Sequence, residues 1–143
     1  MRKTGRMTDA STIPASHLDL VQNAKVAAFT TIGPSGYPQT GAIWFSLEDG
    51  TIRTSQLPIR QRVKNVLANP KASLFIIDPE DPMATVDIRG DVTVEDDADL
   101  SYLGRMLARY GQTVDDFQPP KEGRVVVTIH PTRVRVTGRG AGI

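Results

Sequence analysis

The chain contains no cysteine, and only two of its 143 residues are histidines, His17 and His130. Disulfides and thiolate metal ligands are therefore excluded, and two histidines far apart in sequence do not make a multi-histidine metal site, so we predict no metal. No run of about 18 apolar residues is present, which argues against a membrane-spanning helix. The formal net charge is only +1, too low to attract nucleic acid or an anionic membrane in general. Any anion-binding site must therefore be local.

The amino terminus, "MRKTGRMTDAST", has basic residues but no apolar segment behind them, unlike a secretory signal. We predict a flexible leader over residues 1–13 and one domain over residues 14–143, a length that suits a single hydrophobic core. Because a chain without cysteine fits a reducing compartment, we expect a cytoplasmic protein.

The spacing of apolar residues predicts a mainly β chain with three helices. The predicted helices cover 14–24, 59–68 and 96–111, and the predicted strands cover 25–32, 39–48, 51–56, 71–78, 83–95, 124–129 and 132–138. "DG" at 49–50 predicts a tight hairpin turn, and Gly90 a bend or bulge inside its strand. Dominant strands with short connections favour an antiparallel barrel with helices at its edges over a parallel sheet.

The helix predicted at 59–68 carries Arg60, Arg62 and Lys64 near its start. The amino end of a helix is electropositive, and a cation there is unfavourable by about 0.3–1 kcal/mol. Two interpretations remain open: a solvated face with ordinary surface cations, or an anion pocket formed with the free backbone N–H groups of the first turn. The hydroxyls of Thr54 and Ser55 come just before this helix and would lie close to such a pocket.

In "AIWF", Trp44 and Phe45 must point to opposite sides of a strand. One of the two belongs to the core, and the other either packs as well or forms a platform for a flat ring. No Ser/His/Asp triad and no paired carboxylates stand out, so we identify no catalytic residue.

The stretch from 26 to 94 contains "GYPQTGAIWF", an "R-x-R-x-K-N-x-x-x-N-P" helix, the turn "DPEDP" and the strand "VDIRGDV". In this order and spacing, the sequence resembles the split β-barrel flavin and deazaflavin oxidoreductases, the pyridoxamine-phosphate-oxidase-like proteins. The branch it resembles is the one that uses coenzyme F420, and the resemblance covers about residues 14 to 137.

This resemblance implies a six-stranded antiparallel split β-barrel and a homodimer with two cofactor sites at the subunit interface. It places the cofactor phosphate at the start of the helix that carries Arg60. The implied cofactor-binding residues are Gln39, Thr40 and Ala42 along the flavin-like ring, Thr54, Ser55, Arg60, Arg62 and Lys64 around the phosphate, and Met83 reaching over from the partner subunit.

The implied activity is hydride transfer between coenzyme F420 and a small conjugated or heterocyclic substrate. In such a reaction the cofactor carries the chemistry, so the absence of an acid–base pair in the sequence does not argue against an enzyme. An FMN-binding oxidoreductase is the alternative, since a phosphate monoester also suits an Arg/Lys cluster. A split barrel that holds flavin or haem without turnover is a further alternative.

Overall fold

A computed structural model describes residues 11–140, so most of the predicted leader lies outside the described residues. The helices are α1 (Ala15–Asn23), α2 (Gln61–Ala68) and α3 (Ser101–Ala108). The strands are β1 (Ala27–Ile32), β2 (Pro38–Ile43), β3 (Ser46–Glu48), β4 (Thr51–Gln56), β5 (Lys71–Asp78), β6 (Asp81–Asp96) and β7 (Val125–Thr137). The prediction of a mainly β chain with flanking helices is confirmed.

The described strands number seven, which corrects the six implied by the resemblance. They form one antiparallel sheet in the order β2-β1-β5-β6-β7-β4-β3. Strand 39–48, predicted as continuous, is interrupted at Trp44 and Phe45. The strands predicted on either side of Pro131 are one strand, because Pro131 pairs with Gly90 at a register shift, where a missing ladder N–H is tolerated.

The two ends of this sheet are joined by only two residues. β2 is one edge strand and β3 the other, yet the chain passes from Ile43 to Ser46 through Trp44 and Phe45 alone. Three residue steps span at most roughly 11 Å. The sheet must therefore curl until its edges meet, without a β2–β3 ladder, and this gives a split barrel.

Local turn chemistry explains the two sharpest features of the strands. Asp49 and Gly50 both have positive φ, 52° and 75°, as the tight turn between β3 and β4 requires. A β-carbon at Gly90 would collide with the His130 carbonyl, and the register shifts between Arg89 and Gly90. Both turn and bulge predictions are confirmed.

Two apolar clusters lie on opposite faces of the sheet. The larger fills the barrel and includes Phe29, Phe45, Leu74 and Ile88, with α2 contributing Val63 and Val66. The smaller packs α3 outside the barrel through Tyr102, Leu103, Met106 and Leu107 against Val126. Residues 125–129 of β7 are consequently buried on both faces.

Helix α3 begins at Ser101 rather than at residue 96 as predicted. The Asp97 carboxylate accepts hydrogen bonds from the backbone N–H groups of Tyr102 and Leu103, and Asp99 accepts one from Ser101. The acidic residues are thus capping groups that precede the helix. No helix within residues 11–140 is long and apolar enough to cross a bilayer, and no cluster of metal-ligating side chains is found there.

Candidate functional site

The first turn of α2 has free backbone N–H donors, but no acidic side chain of this turn accepts hydrogen bonds from them. Arg60 precedes the helix with extended backbone, no side chain caps the turn, and the turn contains no acidic residue. The first backbone N–H groups of a helix have no partner inside it. An anion placed here would meet both these donors and the positive end of the helix dipole.

Arg62 leans back from α2 over strand β2. Its Nη1 is 3.5 Å from the Gln56 side-chain oxygen, and its Nη2 would be 3.0 Å from a β-carbon at Gly41. Burial lowers the pKa of this guanidinium, and the nearby charge of Arg60 lowers it further. Arg62 is therefore a half-buried cation beside a second cation.

A third arginine, Arg124, approaches from the residue before β7. Its Nε donates to the Pro120 carbonyl at 2.8 Å, and its Nη1 donates to the Ser55 carbonyl and hydroxyl, each at 3.3 Å. Its guanidinium also lies 4.9 Å from the centre of the Phe117 ring. Burial is the main cause that lowers the pKa of Arg124, and the nearby charge of Arg60 lowers it further.

The three guanidiniums, which we call the arginine cluster (Arg60, Arg62 and Arg124), lack an acidic counterpart. Within residues 11–140, no carboxylate lies within 4.0 Å of any of them, although five other cations form seven such ion pairs, two of them made by each of Arg53 and Arg139. Uncompensated buried charge is unfavourable. The donor set therefore fits a bound anion such as a phosphate.

A chain of amides and hydroxyls supports the arginine cluster from β4. Thr54, which is buried, donates to the Trp44 carbonyl at 2.7 Å and accepts from the Gln56 amide at 2.9 Å. The Gln56 oxygen then faces Arg62. Thr54 thus holds Gln56, and Gln56 orients Arg62, whereas the Ser55 hydroxyl contacts Arg124 directly.

Strand β2 divides the predicted ring-contacting residues between two faces. Gln39 accepts a hydrogen bond from Asn65 of α2, and Gly41 lies under Arg62. Thr40 and Ala42 are exposed on the outward face, where they line a cavity of about 420 Å³ with Val26 and Phe75. The structure therefore brings Gln39, but not Thr40 or Ala42, to the side that faces α2.

Lys64 and Met83 are not joined to the arginine cluster within the described chain. Lys64 is exposed on α2, and no hydrogen bond or ion pair of its ammonium group is found among residues 11–140. Met83 is 57% exposed at the start of β6, where its N–H donates to Asp81 and its carbonyl accepts from Thr137. Met83 has no place in the site of a single chain.

Sequence reasoning missed Arg124 and Gln56. Gln56 completes the "TSQ" motif, whose first two residues were proposed, so its position at the end of β4 was a usable signal. Arg124 lies 60 residues after Lys64, immediately before an apolar strand, and nothing in its local pattern separates it from other surface arginines. Only the β4–β7 pairing brings it beside Ser55.

Trp44 and Phe45 face opposite clusters, as predicted. Phe45 is fully buried inside the barrel, whereas Trp44 packs on the α3 side and stacks on Tyr110 with ring centres 4.1 Å apart and an interplanar angle of 7°. A cavity of about 650 Å³ opens beside this stack. Its lining is Trp44, Ser55, Met106, Gln112, Asp116, Phe117, Gln118, Pro119 and Arg124.

Comparison with known proteins assigns the fold to a family. The family model of pyridoxamine 5'-phosphate oxidase matches residues 13–138. An F420 reductase structure superposes with a TM-score of 0.77 at 26% identity, covering 86% of this chain and 98% of that one. No match is found among curated proteins.

Two further solved structures share the fold at lower identity. A conserved hypothetical protein from Mycobacterium tuberculosis is 22% identical, with a TM-score of 0.74 and coverage of 98% of this chain and 91% of that one. A haem storage protein from Vibrio cholerae is 17% identical, with a TM-score of 0.71 and coverage of 89% and 96%. At these identities the likeness concerns the fold alone.

Proposed function

The chain belongs to the pyridoxamine 5'-phosphate oxidase family, and we propose that within it the protein is a coenzyme F420-dependent oxidoreductase. The reaction is hydride transfer between the deazaflavin and a small conjugated or heterocyclic substrate. The likeness to an F420 reductase supports this choice of cofactor.

The observation that carries the proposal is the arginine cluster, which has no counter-anion among residues 11–140. Two of its members, Arg62 and Arg124, have a lowered pKa because they are partly desolvated next to Arg60. A phosphodiester at the start of α2 would offset this repulsion and accept charge-assisted hydrogen bonds. Ordinary surface cations, the other interpretation of this helix, do not account for half-buried arginines that converge from β7 and α2.

The residues divide into phosphate-binding and positioning groups. Arg60, Arg62 and the first N–H groups of α2 would bind the phosphate, and Thr54, Ser55 and Gln56 would hold the guanidiniums in place. Gln39, Thr40 and Ala42 would lie along the ring, partly through backbone groups, because the side chains of Thr40 and Ala42 are on the outward face of β2. When bound, the reduced deazaflavin supplies a hydride, and the substrate gains that hydride and a proton while the cofactor is oxidised.

We also propose a two-fold homodimer that pairs the outward faces of β1, β2 and β5. Ala42, Ala28 and Phe75 lie in line across these three strands, and Val26 and Ile77 extend the same apolar surface. Val26 and Ile77 are 53% and 52% exposed in the single chain. Thr40 and Ala42 lie on this face, so a partner would bring its own Met83 and the ring-contacting residues into one shared site.

The proposal is tested by titrating the purified protein with coenzyme F420, FMN and haem under identical conditions. The expected result is tightest binding of the deazaflavin, followed by oxidation of its reduced form on addition of a conjugated acceptor. Preferential binding of FMN would support the flavin oxidoreductase instead. Tight haem binding without any turnover would replace the enzyme by a cofactor-binding protein.

A further inference from the structure

The cavity of about 650 Å³ beside the Trp44–Tyr110 stack has a composition unlike that of the phosphate site. Its walls are largely apolar, with the rings of Trp44 and Phe117 and the thioether of Met106. Small-molecule pockets in proteins are of this size and combine such walls with a few polar groups. Aromatic and apolar walls of this kind suit a small molecule with a conjugated ring.

Arg124 supplies the charge in this cavity. The residue is only 8% exposed, and its Nε and Nη1 are already used by Pro120 and Ser55. Within residues 11–140, no hydrogen bond is found for its Nη2, which leaves two N–H donors of a buried cation without an acceptor. An anionic group of a ligand is the acceptor that this arrangement favours most.

The acid on the rim does not neutralise Arg124. Asp116 is exposed, and its carboxylate accepts a hydrogen bond from the Thr113 hydroxyl at 2.9 Å. No ion pair joins Asp116 to Arg124 in the described part of the chain. Because Asp116 is solvated and Arg124 is buried, the positive charge dominates the interior of the cavity.

We propose that this cavity binds a small planar carboxylate, with its ring between Trp44 and Phe117 and its carboxylate on Arg124 Nη2. The assignment of this ligand as the reducible substrate rests on the proposed function. The cavity and the arginine cluster share Ser55 and Arg124, so the carboxylate would lie next to the cofactor phosphate region. The binding itself requires no cofactor.

The single tryptophan makes the test direct, because Trp44 lines the cavity and its indole N–H gives one NMR signal. Cofactor-free protein is titrated with cinnamate and, separately, with cinnamamide, its neutral counterpart of the same shape. We expect cinnamate to shift the Trp44 signal saturably and to bind roughly tenfold or more tightly than the amide, because only the acid accepts a charge-assisted hydrogen bond. No shift with either probe, or equal affinities, would overturn the proposal.

Two variants separate the charge from the fold. Arg124→Gln should reduce the affinity for cinnamate to that for cinnamamide, while Arg133→Gln, at an exposed arginine of β7, should change neither. Since Arg124 also holds Pro120 and Ser55, Gln112→Glu is a second variant that puts a carboxylate on the cavity wall and keeps Arg124. It should weaken cinnamate binding alone; equal effects on both probes would contradict recognition of the carboxylate.

Turnover measurements separate the binding of a carboxylate in the cavity from the role of that carboxylate as the substrate. If cinnamate binds as described but neither reduced F420 nor reduced FMN supports reduction of any conjugated carboxylate tested, the pocket stands and the substrate role is refuted. If turnover is observed with acceptors that leave the Trp44 signal unshifted, the proposed function stands and the assignment of the pocket's ligand as the substrate is wrong.

Discussion

Arg62 lies across the backbone of Gly41, with its Nη2 3.0 Å from the point where a side chain at position 41 would begin. The glycine therefore makes room for a guanidinium rather than for an unusual backbone, since Gly41 is not among the residues with positive φ. Strand β2 and helix α2 are fitted together at this contact, beside the start of the helix. The position of Arg62 depends on what occupies residue 41.

Gly41→Ala is expected to displace Arg62 and weaken binding of coenzyme F420 by up to about tenfold, through partial loss of a charge-assisted hydrogen bond. Stability should change by less than about 0.5 kcal/mol, because the neighbouring atom is the flexible end of a side chain and alanine suits a strand better than glycine. Cofactor titration and a thermal melt measure the two effects. Gly104→Ala, a methyl added in α3, is the control for binding. Unchanged affinity in Gly41→Ala would show that Arg62 does not contact the cofactor.

Arg60→Ala is expected to weaken cofactor binding by roughly 1.5–3 kcal/mol, the contribution of a charge-assisted hydrogen bond. The melting temperature should stay nearly constant, because Arg60 is exposed and its removal takes a cation away from the start of a helix. Arg133→Ala is the matched control, since it removes the same charge from an exposed position on β7. Equal affinities for the three proteins would contradict an anion site at α2.

The sequence predicts those parts of the fold that local chemistry decides. "DG" requires the turn that Asp49 and Gly50 make, Pro70 ends α2, and alternation places Trp44 and Phe45 on opposite sides. The six strands implied by the resemblance are seven in the structure, and two of the strand boundaries predicted from the residue pattern are wrong because they depend on long-range pairing. The sequence around Trp44 predicts one continuous strand, although the strand is interrupted there and the sheet closes. Pro131 predicts the end of a strand, although it pairs with Gly90 at a bulge and the strand continues.

The candidate site was predictable only to the extent that its residues are neighbours in sequence. Arg60 and Arg62 belong to one helix, and Thr54 and Ser55 end the strand before it, so their proximity follows from the chain. Arg124 joins them through the β4–β7 ladder, a contact across 69 residues that no local pattern announces. The placement of Met83 would depend on a second chain, and it stays a prediction.

The outward face of β1, β2 and β5 is expected to hold a dimer together. Sedimentation at micromolar concentration should give about twice the chain mass of 15.6 kDa. Ile77→Glu, which puts a charge on the apolar surface, should dissociate the dimer and weaken cofactor binding, because the shared site is lost. Tyr37→Glu, at a 75% exposed position in the β1–β2 turn, is the control. A monomeric wild type would remove the shared-site proposal and the role of Met83 with it.

Gly104→Ala is expected to raise the free energy of unfolding by about 0.4–1 kcal/mol, because alanine loses less backbone entropy in a helix. The added methyl would make an ordinary 3.6 Å contact with Val114. Gly36→Ala provides the contrast: its surroundings are open, but its φ of 88° strains any L side chain, so stability should fall. Urea denaturation of both variants measures the difference. A destabilised Gly104→Ala would mean that α3 packs more tightly against Val114 than the 3.6 Å contact indicates.

Binding of coenzyme F420 is expected to tighten as its glutamate tail lengthens and to weaken as salt rises. Lys64, exposed on α2 beyond the start of the helix, offers positive charge past a first phosphate. Exposed charges of this kind act over about 8–10 Å at physiological salt and are screened beyond it. FMN has no such tail, so it should bind less tightly and depend less on salt.

The variant Lys64→Ala isolates the tail, because it should flatten the dependence on tail length while leaving FMN affinity unchanged. Affinities measured for short- and long-tailed deazaflavin at low and high salt, in wild type and variant, give the comparison. Protein produced in a host that lacks the deazaflavin should be colourless. Stoichiometric FMN in such a preparation, or FMN affinity above that of the long-tailed deazaflavin, would assign the site to flavin instead.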